Sequence, residues 1–359
     1  MDDISSASGA GPDIRAPAVS ALLPVHNGER YIESALRSVM DQTLREIEIV
    51  AVDDGSTDST PEILARLAAE DPRIRILRQE PNVGLATALN RGLEVCRGEY
   101  VARMDGDDLC EPTRFELQKR YLDTHPQVVL IGASIIQIDE TDRPIHATRR
   151  PRDGFACRWL QRWELPLVHP TFMFRRAPAA AAGLRYDPSR RLTEDHEICS
   201  HFLRIGEVVN LPEVLLRYRV HAGSVSRRRW RDQVAEAGEV CAPYHRETMS
   251  QEVFALLSPF RDAYFRFQRL DAAGMQASFE GFRRMIAEDL ARAPDRRAWM
   301  MRQGAQRLLK GLQRGGAGKG AIVRAFLLYG RDFALALGLR LLELKGLLPG
   351  VLRTDPRVW

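Results

Sequence analysis

The chain has 359 residues, 45% of them hydrophobic and 28% charged, the composition of a soluble globular protein with one large domain and something smaller beside it. Five scattered cysteines, odd in number and with no CxxC pair, exclude a disulfide framework or a cysteine zinc site and fit reduced thiols in a cytoplasmic protein. The net charge of +4 is unevenly spread: residues 296–359 hold thirteen basic against three acidic side chains and the remainder is net −6, which is not the pattern of a nucleic-acid binder.

Residues 1–17, rich in Ser, Gly, Ala, Asp and Pro, lack the basic and apolar regions of a signal peptide and are expected to be a disordered tail. From there short apolar runs alternate with helical patterns. "VSALLPV" (19–25) reads as a strand, followed by a helix from about Tyr31 to Met40. "IEIVAVDD" (47–54) is a second strand, and "STPEILARLAAE" a helix opening with Ser/Thr and Pro. "RIRILRQ", "YVARM" and "VVLIGASIIQI" are further strands, separated by helical "VGLATALNRGLEVC" and "PTRFELQKRYLDTH". This alternation predicts an α/β fold, a mostly parallel sheet flanked by helices on both faces. Ligands bind such sheets at the carboxyl ends of the strands, where "PVHNGERY", "VDDGSTD" and "RMDGDD" fall.

Beyond residue 150, "PLVHPTFMFRR" reads as a strand, "LTEDHEICSHFLRIG" as a helix, and "VVNLPEVLLRYRVHAGSVS" as strand-like segments around a turn. A soft boundary near residue 226 separates a catalytic domain, 18–226, from a helical C-terminal region, 227–359, with breaks at "APYH", "ARAPDRR" and "RGGAGKG". No uncharged apolar run approaches the roughly 18–20 residues needed to span a bilayer, since "FALALGL" ends at Arg340.

Each motif has two readings. Asp53 and Asp54 of "VDDGSTDST" follow a strand, where Asp commonly caps the next helix, or accepts hydrogen bonds from a nucleobase or ribose. The D-x-D spacing of Asp105 and Asp107 suits a solvated acidic turn, or an oxygen site for Mg²⁺ or Mn²⁺ shared with substrate phosphates. An EF-hand is excluded, because position 6 counted from Asp105 is Cys110 rather than Gly. Glu194, Asp195 and Glu197 sit at a helix start, where carboxylates complement the dipole or serve as a general base. His221 is either a satisfied polar residue or, with Arg217, Arg219 and Ser224, part of a phosphate contact. "GLQRGGAGKGA" fails as a phosphate loop because Gly320 follows Lys319, and no GxGxxG follows the first strand.

In this order, "PVHNGERYIESALRSVMDQTL", "EIVAVDDGSTDST", "PNVGLATALNRGL", "GEYVARMDGDDLCEPTRFELQ", "HPTFMFRR", "TEDHEICSHFLRIG" and "LLRYRVHAGSVS" resemble the family 2 glycosyltransferases of the GT-A fold across residues 18–226. The resemblance implies an inverting enzyme that moves a sugar from a nucleoside-diphosphate sugar, with uridine as the base, to a glycan or lipid-linked acceptor in cell-surface polysaccharide assembly. It implies nucleotide contacts from Pro24, Val25, Asp53, Asp54 and Asp105, a Mn²⁺ or Mg²⁺ held by Asp105 and Asp107 with His221 in reach, and Asp195 as catalytic base. Asp107 is the better direct ligand, Asp105 a partner of the ribose or a metal-bound water, and Asp108 a brace for the turn. One departure stands out: where many relatives have Arg, this chain has Leu89, so Arg91 or an Arg of "YRVH" would have to supply the phosphate contact. Residues 296–359 either complete the fold or meet anionic membrane on the inner face of the plasma membrane. Competing readings are a sugar nucleotidyltransferase, which would carry a Gly-rich, Arg/Lys signature after the first strand, and a catalytically silent nucleotide-sugar-binding or scaffold protein.

Overall fold

The computed structural model describes residues 16–221, 229–330, 332 and 333. Most of the expected tail, the boundary near 226, Ser224 and the end of the basic segment from 334 onward lie outside the described residues.

The first half is built as the alternation requires. Strands β1 (Val19–Val25), β2 (Ile47–Asp54), β3 (Ile74–Gln79) and β4 (Tyr100–Arg103) form a parallel block in the order β3-β2-β1-β4. Helices α1 (Ile32–Met40), α2 (Thr60–Glu70) and α3 (Leu85–Val95) connect them. In α1 the buried residues Ile32, Ala35, Leu36 and Val39 follow the i, i+3, i+4, i+7 spacing that turns one apolar stripe to the sheet. Every residue of β2 is buried, including Glu48. Its carboxylate accepts from Ser20 Oγ at 2.6 Å, Arg97 N at 2.6 Å and Arg75 Nη1 at 3.1 Å, the full pairing that a buried charge requires.

Past β4 the sheet becomes mixed. A two-residue β5 (Leu109–Cys110) precedes helix α4 (Arg114–Thr124), and β6 (Val128–Ile138) is followed by β7 (Pro144–Thr148). After α5 (Gly154–Leu160) comes β8 (Met173–Arg175), antiparallel to both β4 and β6. Short α6 (Arg176–Ala181) and α7 (Glu194–Ile205) lead into β9 (Glu207–Arg219), parallel to β6. The nine-stranded sheet therefore runs β3-β2-β1-β4-β8-β6-β9-β5, with β7 beside β6. The segment expected as two strand-like pieces around a turn is one strand, which absorbs "NLPEV" as register irregularities against Ala133–Ile135. "HPT" of the expected strand is instead a 3₁₀ turn, His169–Thr171.

Helices α8 (Trp230–Thr248), α9 (Gln251–Leu256), α10 (Ser258–Arg266), α11 (Ala272–Leu290), α12 (Arg297–Arg314) and α13 (Lys319–Tyr329) follow. Helix α8 runs through the expected "APYH" break with Pro243 inside it, while the breaks at "ARAPDRR" and "RGGAGKG" are present. These helices share a core with Trp159 and Trp163, the latter edge-on to Phe260 at 5.3 Å. A buried ion pair, Arg162 to Asp289 at 2.6 Å, fastens α11 to the segment after α5. Among the described residues no helix is long and apolar enough to cross a membrane.

Candidate functional site

The carboxyl ends of β1, β2 and β4 carry the three motif loops, and two of those loops are tied to each other. Asn27 N donates to Ser56 Oγ (2.9 Å), Gly28 N to Thr60 Oγ1 (2.8 Å), and Thr57 N to Asn27 Oδ1 (2.8 Å). Gly55 sits at φ +72°, where a Cβ would fall 2.7 Å from Asn82 N, so the turn after β2 needs glycine. Pro24 and Val25 end β1 in register with Val52 and Asp53. Asp54 accepts from Val83 N and Gly84 N, both at 2.9 Å, organising the entry to α3. Asp53 accepts from Ser56 N at 3.0 Å through Oδ1, and its buried Oδ2 has no hydrogen bond, with Arg78 Nε 3.9 Å away.

Asp105, Asp107 and Asp108 present carboxylate oxygens within 4.8 Å of one another, an all-oxygen set that could hold a hard divalent cation. Their roles differ. Asp105 is ion-paired to Arg103 at 2.5 Å, and Asp107 Oδ2 lies 3.2 Å from His221 Nε2. Asp108 is buried, with Oδ1 accepting from Arg219 N at 2.8 Å, so it braces β9 rather than the turn into α4, and its buried Oδ2 lacks a partner. Burial and then Asp105 push the Asp107 carboxyl above the usual range, and burial with both neighbours does the same to Asp108. An orphaned carboxylate oxygen amid mutually repelling acids could be satisfied by a hard divalent cation, so the donor set fits such an ion.

A cavity of about 670 Å³ opens beside this turn. Asp105 and Asp107 line it together with Glu194 and Asp195 at the N-terminus of α7. Asp195 Oδ1 accepts from His196 N at 2.7 Å. Burial pushes Asp195 up to about 6; the His196 amide and Arg103 oppose it. Burial, then Asp195, pushes Glu194 up to about 8. Glu197, the third acid of that helix start, instead lies 3.6 Å from Arg190 and does not line the cavity.

The sequence reading passed over Arg103. It is buried between these acids, with Nε and Nη1 unpaired, and Arg114 Nη2 donates to its carbonyl at 2.8 Å. It also passed over His169, which lines the cavity, contacts the Tyr186 hydroxyl at 2.9 Å, and is held well below its ordinary value by burial and Arg103. An arginine inside an apolar strand, next to an acidic turn, was the available signal. Leu89 is fully buried and Arg91 exposed; of the suggested replacements Arg219 lines the cavity, while Arg217 pairs with Glu111 at 2.7 Å.

The parallel block, the mixed strands beside it and the helices on both faces make an α/β fold of the GT-A type. Staphylococcus aureus TarS, residues 1–349, crystallised with UDP-GlcNAc, has a similar fold, with a TM-score of 0.57 and 16% identity over 83% of this chain and 90% of that one. The family model of glycosyl transferase family 2 matches residues 20–183. The amylovoran biosynthesis glycosyltransferase AmsE of Erwinia amylovora is 36% identical over 213 residues, 58% of this chain and 79% of the relative. An uncharacterised glycosyltransferase of Haemophilus influenzae is 29% identical over 58% of this chain and 68% of its own length. The chain belongs to glycosyl transferase family 2. Asp195 lies beyond the segment matched by the family model.

Proposed function

We propose that this chain is an inverting, divalent-cation-assisted transferase that moves a sugar from a nucleoside-diphosphate sugar to a hydroxyl of a glycan or lipid-linked acceptor in surface-polysaccharide assembly. The observation that carries this reading is the convergence of Asp105 and Asp107 with Asp195 on one cavity. Asp105 and Asp107 would hold Mn²⁺ or Mg²⁺ with His221 beside them. Such an ion offsets the charge that develops on a departing diphosphate.

The remaining work falls to the chain's own groups. Pro24, Val25, Asp53 and Asp54 form the strand-end floor on which the base and ribose would lie. Arg103 fixes the Asp105 carboxylate and faces the same acids with positive charge. Asp195 takes the proton of the acceptor hydroxyl as that oxygen attacks the anomeric carbon, and a single displacement inverts the centre. Burial raises the basicity of Asp195, as a general base requires. The AmsE name and the UDP-GlcNAc complex of TarS support a polysaccharide context and a UDP-sugar donor.

Thermal-shift titration of UDP-sugars tests this. At least one should stabilise the protein with Mn²⁺ and much less in EDTA, and Asp107→Asn should remove the metal-dependent part. Equal stabilisation with and without metal, or a metal-dependent shift retained in Asp107→Asn, would refute the metal assignment.

A further inference from the structure

The cavity wall carries a second charged group, on the side formed by the helical region. Arg150, which follows β7, Glu164, which follows α5, and Lys310 and Arg314 of α12 all line it. Glu164 is the carboxylate among them, and it is already committed: Arg307 Nη2 lies 2.5 Å from its Oε1 and Lys310 Nζ 3.3 Å from its Oε2. Burial would raise the Glu164 carboxyl, yet Arg307, Lys310 and Arg150 outweigh it and hold the group down to about 2. Arg314 donates to the Tyr264 carbonyl at 2.8 Å, and its guanidinium carbon lies 4.3 Å from the Tyr264 ring centroid, which leaves its other nitrogens unengaged by acid.

Arg150 is the telling member. Its Nε is buried without a hydrogen-bond partner, and no carboxylate pairs with it among the described residues. Burial pulls its guanidinium below the ordinary value, with Glu164 only partly offsetting this. Half-burying a cation with no directly paired carboxylate is unfavourable, and Glu164 offsets this only in part. Two guanidinium forks and an ammonium around one cavity wall match the several oxygens of a phosphoryl group better than a single carboxylate.

We propose that Arg150, Lys310 and Arg314 form an anion subsite that receives a phosphate or diphosphate group of the acceptor. This rests on the transferase reading, and it places the acceptor's anionic end against α12 while a sugar hydroxyl reaches Asp195.

Calorimetric titration of the full chain with inorganic pyrophosphate in EDTA tests it. The wild type should bind pyrophosphate, and Arg150→Met and Arg314→Gln should each weaken binding by roughly tenfold or more. Arg150→Met should also melt close to wild type, because no carboxylate pairs with Arg150 among the described residues; a structural arginine would lower the melting temperature. Absence of binding by wild type, or unchanged binding in both variants, overturns the subsite. Competition by a short prenyl diphosphate in detergent against glycerol phosphate then tells a lipid-linked phosphate from one within a glycan. A parallel UDP-sugar titration with Mn²⁺ separates the two claims. If pyrophosphate binds through Arg150 and no UDP-sugar binds, the UDP-donor reading falls and the anion site stands; the converse removes the anion site alone.

Discussion

Asp195→Asn separates catalysis from stability. The substitution keeps a side-chain acceptor for His196 N, so that amide in the first turn of α7 keeps its partner. It removes the proton-accepting carboxylate, which as a general base is worth roughly 10²- to 10⁴-fold in turnover. Stability should move the other way. Burial raises the folded carboxyl from 3.8 to about 6. Below the unfolded value both states are protonated and nothing is lost; as pH rises through the folded value the wild type must carry a buried charge. At about 1.36 kcal/mol per unit that cost has a ceiling near 3 kcal/mol, reduced to about 1–3 by water reaching the cavity and by sharing with Glu194. Denaturant unfolding at pH 8 and pH 4, with turnover assayed in parallel, checks this. The Asp195→Asn protein should be more stable at pH 8, show little gain at pH 4, bind donor and fail to transfer. Near-normal turnover, or lower stability at pH 8, would refute the assignment of a strained buried base.

Three further substitutions probe charges in the site and away from it. Arg103 lowers the Asp195 carboxyl, so Arg103→Met should shift the acidic limb of kcat/KM to higher pH by about half a unit or more, with partial recovery in Arg103→Lys; a limb that stays put removes the positioning role. Arg162→Ala strands Asp289 among α8, α11 and the segment after α5 and should cost about 3–5 kcal/mol in urea unfolding. Arg185→Ala, which breaks an exposed pair with Glu94, should cost less than about 1 kcal/mol, and equal losses would show that burial does not set the scale.

Local pattern carried the first half of the fold because periodicity and packing agree there: β2 is centred on the buried apolar run Ile49–Val52, and α1 has one clean stripe. The acidic motifs were legible for the same reason, since each falls at a strand end or helix start. The mixed half was not. β8 has three residues, β5 has two, and β7 is largely exposed, so their pairing depends on the neighbouring strand rather than on their own pattern. Pro243 reads as a break, yet α8 continues because Val240, Cys241, Tyr244 and His245 on either side of it are buried. Arg103 and Arg150 escaped notice because arginines are ordinary in a sequence, and their meaning comes from their surroundings: Arg103 is buried against Asp105, and half-buried Arg150 has no carboxylate paired to it among the described residues.

That last point bears on the basic C-terminal stretch. Its surplus of cations reads most simply as a face turned to solvent or lipid. In the structure Arg307 is buried, and Lys310 and Arg314 line the cavity, while Met300, Ala305, Leu308 and Leu312 of the same helix enter the core around Trp163. Part of the positive charge of 296–359 therefore points inward, at the same cavity as Asp105, Asp107 and Asp195. The cost of holding those cations inside is met in part by Glu164, whose segment is itself anchored by the Arg162–Asp289 pair. The Arg162–Asp289 pair, the Glu164 ion pairs and the cavity wall thus adjoin one another. Loosening α12 should weaken pyrophosphate binding in EDTA before it weakens metal-dependent UDP-sugar binding, as titration of the two ligands would read.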